Sequence, residues 1–532
     1  DFNDVDIDRY DINGQNRQVL VSAREMNTNQ LSDQAKTWVN RHLVYTHGHG
    51  LVMTLVNEAN TRGLPKFIVR DIPTKSVAGP EIERPELYFG EETYDYAVVD
   101  TGLKEFDYPV GDKNAENTYE GKAGIKVGGF LGRVAWWLRT GSTQFVFSQY
   151  ISPTSRVVMN RAVRDRVRSL APWLRLDDDP YPVVVDGRIL WMLDGYTLSD
   201  SYPYSERLPD GLNFIRNSVK VTVDAYDGTT ALYAFDETDP LLSAWRKIFP
   251  NLVKPGSEMP DGVRKHLRYP QGLFRVQAEV YKTYHMSDPR VFYNKEDQWA
   301  LPGEAQGDGD AMRPFYVFMR LPGETEQEFL LMQPFTPRNK DNMIGWMGAR
   351  SSAEEYGKRV VYTFPKQRLV MGPEQVRARV NQDPKISPQL SLWNQRGSSV
   401  LWGNLLVVPI KDSVVFFQPL YLQAEQAAIP ELTRVVVAYG DKVAMEETLE
   451  AALDVVFGAK GTKDTPAEEA TGGAKPATTV DAKTARTLFQ RAIEAQKKGD
   501  WAEYGRLITQ LGKVLERLAD QKASGTSTST VQ

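Results

Sequence analysis

Apolar residues are interspersed with polar ones from Val5 to Tyr10 and gather at Val19, Leu20 and Val21 within Arg17 to Ala23, and the two segments read as strands with Asn13-Gly14 between them. Asn-Gly favours the positive φ angles of a tight hairpin turn and is the strongest short signal for one. Ser32-Asp33 is placed to cap a helix carrying Trp38, Val39, His42 and Leu43 on one face and stopping before Gly48 and Gly50. From 64 to 99 the prolines at 65, 73, 80 and 85 punctuate strand and loop. Residues 121–140 are rich in glycine at first and then helical, with Phe130, Val134, Trp137 and Leu138 at helical spacing. Residues 160–170 mix Arg161, Arg164, Arg166 and Arg168 with Asp165, the pattern of a polar helix or turn.

The middle of the chain is the most regular. Residues 181–186 and 188–194 read as a hairpin about Gly187, and 219–226 and 230–235 as a second one about Asp227-Gly228. Asp239 followed by Pro240 predicts a helix start over 241–248, and Phe274, Ala278, Tyr281 and His285 predict another helix over 272–285. Two hairpins each near a packing helix indicate α+β architecture, and the helices interrupt any regular four-strand propeller period. The Gly- and Asp-rich stretch 303–310 predicts a domain boundary. Strand-like segments follow at 314–320, 327–335, 359–364, 405–410, 414–422 and 433–438, with a short helix over 445–457. The longest apolar run, 400–410, reads as one buried strand. Residues 459–480 have the composition of a flexible linker. Beyond them Trp501, Tyr504, Leu507, Leu511 and Leu518 line one face of a two-helix hairpin. The expectation is an α+β fold: a domain over 1–305, a strand-rich α+β domain over 306–458, a linker over 459–480 and a hairpin over 481–522. A hairpin this small buries little by itself, so it is expected to dock on its own body or on a second copy of the chain.

Charge and composition narrow the function. The 64 Lys and Arg against 69 Asp and Glu leave a net charge of −5, which argues against nucleic acid as a partner. No apolar run reaches the roughly 18 residues of a membrane span, so the chain is expected to behave as a soluble fragment or processed product. With no cysteine, disulfides, thiolate metal sites and a cysteine nucleophile are excluded.

Candidate chemistry is thin. His42, His47 and His49 offer three imidazoles in eight residues, the raw material of a zinc or copper site. His47 and His49 sit in a glycine-rich turn, however, and no carboxylate lies in that window, so structural roles are the expectation. Asp4, Asp6, Asp8 and Asp11 resemble a calcium loop until Arg9 and Gln15 are found where Gly and Glu are required. Asp177, Asp178 and Asp179 form one acid cluster and Asp236, Glu237 and Asp239 another; either has the oxygens for calcium, yet such runs more often cap helices or turns. There is no Gly-x-Ser-x-Gly, no phosphate-binding glycine loop and no His-Glu-x-x-His, so no catalytic residue is assigned. A glycosidase needs only two facing carboxylates, which no sequence pattern reveals.

Longer phrases carry more. "DIDRYDINGQ", "WVNRHLVYTHGHG", "EFDYPVG", "NTYEGKAGI", "APWLRLDDDPYPVVVDGRILWMLDGYT", "HLRYPQGLFRVQAEVYKTYHMSDPRVFYNKEDQW", "FTPRNKDN" and "YGKRVVYTFP" resemble uncharacterised protein family 0182 of bacteria, from about residue 5 to 458. The resemblance implies location rather than chemistry: large cell-membrane proteins with N-terminal spans, of which this chain resembles the C-terminal extracytoplasmic region. The reading is a non-enzymatic module that binds an envelope component or partner protein alongside its own membrane-spanning region. The alternative is a cell-envelope hydrolase acting on polysaccharide or peptide. A hydrolase would show a concave site with paired, perturbed carboxylates, whereas a binding module would show an aromatic-rich groove or exposed apolar patch.

Overall fold

Strands Asp6–Ile12 and Gln15–Ala23 pair antiparallel in the register Asp6 to Val21 and Ile12 to Gln15. Asn13 and Gly14 turn between them at φ 55° and 78°. The hairpin continues through Leu51–Ala59, Pro65–Arg70 and Lys75–Ser76 into a five-stranded sheet. The structure is a computed structural model and describes residues 4–59, 64–303, 311–352, 355–365, 367–394, 397–410, 413–424 and 430–458. The expected linker over 459–480 and two-helix hairpin over 481–522 lie outside the described residues.

A second sheet of six strands is built on the long pair Arg188–Ser199 and Phe214–Asp224. Tyr181–Val185 returns into it through Asp186 and Gly187, at φ 49° and 74°, as the turn at Gly187 predicts. Thr230–Ala234 pairs antiparallel on the other side and then parallel with Val253–Lys254, which the chain reaches by helical crossover. Six helices are used below. They are α1 (Phe130–Thr140), α2 (Gln144–Phe147), α3 (Val163–Leu170), α4 (Pro240–Ile248), α5 (Asp261–Arg264) and α6 (Gln271–Tyr284). The first two sheets and α3 enclose one core, in which Val19, Val21, Met53, Val167, Trp191 and Val221 pack together.

Two further sheets follow. Gln327–Pro337 pairs with Phe315–Arg320, Gly345–Arg350 and Trp299–Ala300, and Arg359–Thr363 closes the edge. Ser413–Ala424 is the spine of the last, pairing with Glu431–Tyr439, to whose far side Lys442–Glu446 adds. Tyr196, Leu273, Phe274 and Ala278 share a core with Phe329, Leu331 and Phe335, so apolar packing runs across position 305.

Four expectations need correction. The helix expected after Ser32 is short and irregular: a turn at 33–35 gives way to a helical stretch over 38–44, π-helical at Asn40–Val44, and Trp38, Val39 and Leu43 share one core as the spacing predicts. The Asn40 amide donates to the Ala35 carbonyl at 2.9 Å, and the Thr37 hydroxyl accepts from Asn40 N at 3.2 Å. Such side-chain bonds compete with the helical ladder. The 400–410 run is two strands, Ser398–Trp402 and Leu406–Ile410, both paired to Ser413–Ala424. Gly403 breaks it by pressing against Pro419, where a Cβ would stand 2.5 Å from Pro419 Cγ. The helix expected from 445 starts at Leu449 under a Thr448 cap, with Met445 in a strand. Finally, helices Pro373–Gln382 and Ser387–Trp393 occupy a stretch in which no element was expected.

Candidate functional site

The three histidines divide. His42 turns away to stack on Tyr96, ring centroids 3.9 Å apart, with Nδ1 2.8 Å from the Tyr96 carbonyl. His47 precedes and His49 ends a two-residue strand, Gly48–His49, that pairs with Glu86–Leu87. Strand Glu105–Val110 delivers two carboxylates to them, Glu105 and Asp107, which alternation places on one face. His47 Nδ1 lies 3.4 Å from Glu105 and its Nε2 3.5 Å from Asp107, while His49 Nδ1 lies 2.6 Å from Asp107. The expectation that no carboxylate stands near these imidazoles is therefore overturned, by strand pairing some 58 residues away in the chain. Tyr88 donates its hydroxyl to Glu105 at 2.6 Å, and Thr46 donates to the same oxygen.

Burial alone would lower the pKa of His47, but its bonds to Asp107 and Glu105 outweigh that and raise it. Burial also opposes the charge on Asp107, and the two imidazoles override it, holding the carboxyl far below its usual range. The cluster is thus a buried ionic lock. Because His42 points at Tyr96, the three-imidazole set for zinc or copper is not assembled in one place.

The acid clusters divide too. Asp177 accepts from the Tyr196 hydroxyl and from Gly272 N at 3.1 Å, tying the start of α6 to the second sheet. Asp178 is exposed and pairs with Arg164. Asp179 meets Asp4 and Asp6, and one oxygen of each lies within 4.8 Å of the others. Arg268, fully buried, reaches both Asp6 and Asp179, at 2.9 and 2.8 Å. Burial, against the pull of Arg268, pushes the Asp6 carboxyl up to about 8. Burial and the neighbouring acids push Glu91 up to about 9. Calcium takes about six to eight oxygens, and here the guanidinium supplies the cation for two of the three carboxylates. In the other group Asp239 caps α4, Asp236 holds a turn with Thr238 and pairs with Arg216, and Glu237 lies near Arg246.

A different feature is concave. A cavity of about 660 Å³ runs between α6, the Ser205–Ile215 segment and the edge of the third sheet. Val276, Val280, Tyr281 and Tyr284 of α6 form one wall, Leu208, Leu212 and Phe214 another, and Met347 and Val361 the floor. Arg359 is its cation, and its one carboxylate, Glu206, accepts from the Tyr284 hydroxyl at 2.9 Å. A volume of roughly 300–1,000 Å³ with mostly apolar lining and a few polar groups is typical of a small-molecule seat. The sequence reading missed this groove, though a signal was there. Val276, Val280 and Tyr284 form a second apolar stripe on α6 beside the one, Leu273, Phe274 and Ala278, that faces the core.

Comparisons with known proteins give a family and no fold. Residues 1–393 match the uncharacterised protein family UPF0182. Proteins described by that family name from Desulforamulus reducens and Pelotomaculum thermopropionicum are 48% and 47% identical, each over 98% of this chain. One from Methanospirillum hungatei is 44% identical over 97% of the chain. In all three the match covers 58% of the relative, so the chain spans well under two thirds of their length. No solved structure matches.

Proposed function

The chain belongs to UPF0182, an uncharacterised protein family, and from that premise we propose that it is a non-enzymatic binding module on the extracytoplasmic side of a multi-pass membrane protein. The relatives' additional length leaves room for the N-terminal spans this reading requires. No helix among the described residues is long and apolar enough to cross a membrane. The observation that carries the reading is the groove. Its lining is apolar and aromatic, with Arg359 as a single cation, which suits an envelope amphiphile having an apolar body and an anionic head. A hydrolase would need two carboxylates facing across the cleft, and Glu206 stands alone in this lining.

The test uses an anionic naphthalene-sulfonate dye, itself an amphiphile of that kind, with Val280→Glu and Arg359→Gln in the groove. Val280 and Arg359 are exposed, so the melting temperature is expected to hold. Dye affinity is expected to fall about tenfold for each variant, the size of one lost polar or apolar contact. Equal dye binding by wild type and both variants would remove the groove from the function.

A further inference from the structure

Helix α1 wears its apolar stripe on the outside. Phe130, Leu131 and Leu138 are 70%, 82% and 73% exposed, and Trp137 joins them at 38%. These positions follow the i, i+1, i+7, i+8 spacing that normally faces a core. On α2, Phe147 is turned out in the same way at 80%, and Ile125 lies just before the pair.

This orientation is built in. Trp136 of α1 faces inward and stacks near Phe145 of α2, with ring centroids 5.9 Å apart. Arg133, on the same inner side, donates to the carbonyls of Ser148 and Ile151. Gly141 ends the helix at φ 74°, a left-handed cap. The inner contacts fix the rotation of the helix, and among the described residues nothing covers Phe130, Leu131, Leu138 or Phe147, which stay exposed. Exposed apolar residues scattered singly need no explanation, but a contiguous stripe marks an interaction surface.

Charge selects the occupant. Residues 121–164 contain seven Lys and Arg and no Asp or Glu, in a chain whose net charge is −5. Arg133 and the buried Arg161 are used internally, and Arg156 and Arg164 pair with Asp100 and Asp178, which leaves Lys122, Lys126 and Arg139 exposed around the stripe. Apolar and aromatic side chains on one helix face, bordered by cations and free of acid, are the composition of a helix lying in a bilayer interface. We infer that α1 and α2 form a lipid-docking surface that seats the module on an anionic membrane. The cations engage headgroups, and Phe130, Leu131, Leu138 and Phe147 enter the acyl boundary. The surface shares no residue with the groove, so either reading stands or falls without the other.

The experiment is flotation of the full chain with vesicles of phosphatidylcholine alone or mixed with phosphatidylglycerol. Wild type is expected to float with the anionic vesicles and to release at high salt, since polybasic attraction is screened. The double variant Leu131→Ser, Leu138→Ser and the charge variant Lys126→Gln, Arg139→Gln should each bind about tenfold more weakly. Tyr204→Ser, which removes an exposed aromatic elsewhere, should bind as wild type does. All these side chains are exposed, so unchanged melting temperatures will confirm that the variants are folded. Failure of wild type to float, or equal flotation of the stripe variants, overturns the inference. So does self-association that the Leu131→Ser, Leu138→Ser variant abolishes without any lipid binding, which would assign the stripe to a second copy.

Discussion

Asp107 holds two imidazoles, and that single carboxylate gives the chain a specific pH response. The raised pKa of His47 stabilises the fold fully below the unfolded value of about 6.5, and this is lost as pH rises through the raised folded value. The depressed pKa of Asp107 stabilises above about 4, and this is lost as pH falls through the folded value. Both contributions are present together in the mildly acidic window between. Asp107→Asn is therefore expected to cost about 1–3 kcal/mol near pH 5–6 and distinctly less near pH 9. Thermal melts of the two proteins across that range measure it, and an equal loss at both ends would show that the lock is not ionic. Half of this cluster was legible in the sequence. His47 and His49 announce themselves by adjacency, whereas Glu105 and Asp107 arrive by strand pairing that no local spacing encodes. Asp179 is similar: it is visible as one of three acids, while its meeting with Asp4, Asp6 and Arg268 is a product of the tertiary fold.

Among elements, the features with strong local chemistry were readable and those decided by packing were not. Asn13-Gly14 and Asp186-Gly187 turn where their φ preferences direct. Asp239 before Pro240 starts α4 as expected, and it does more than cap. Its carboxylate accepts from Leu241 N at 2.9 Å and Leu242 N at 3.3 Å, and from the hydroxyls of Thr197 and Ser218 in the second sheet. The side chain thus pins the helix to the strands that precede it. Asp239→Ala is expected to lose a cap and the acceptor of two buried hydroxyls, leaving Thr197 and Ser218 only their bond to each other, about 1–3 kcal/mol in all. Asp239→Asn, which retains an acceptor, should lose less. Urea midpoints with unchanged slopes measure both, and equal loss in the two variants would show that the acceptor role is not what matters. The outward face of α1 was unreadable because periodicity gives the width of an apolar stripe and not the side on which the core lies. The segment after Ser32 was readable only in part, for the opposite reason: Thr37 and Asn40 spend their side chains on nearby backbone groups and win locally.

Over the whole molecule, the Gly- and Asp-rich stretch at 303–310 suggested two domains, and the contacts on either side of it suggest how strongly they are joined. Arg9 donates to the Ser351 carbonyl at 3.1 Å, and the Tyr316 hydroxyl donates to the Tyr269 carbonyl at 2.6 Å. Lys220, buried on the second sheet beside Asp194, donates to the Tyr356 hydroxyl. Around these bonds Leu273, Phe274 and Ala278 of α6 pack on Phe329, Leu331 and Phe335. Each large apolar side chain in such a core is worth about 1.5–3 kcal/mol relative to exposure. Separating the chain at 305 would uncover several at once, along with the buried ends of the hydrogen bonds. A protease site engineered between Gly303 and Ala311 is therefore expected to yield two fragments that co-elute after cleavage and melt in one transition close to that of the uncut chain. Fragments that part on a sizing column without denaturant, each melting independently, would instead establish residues 1–305 and 306–458 as autonomous domains. They would also reduce the shared core to a docking interface.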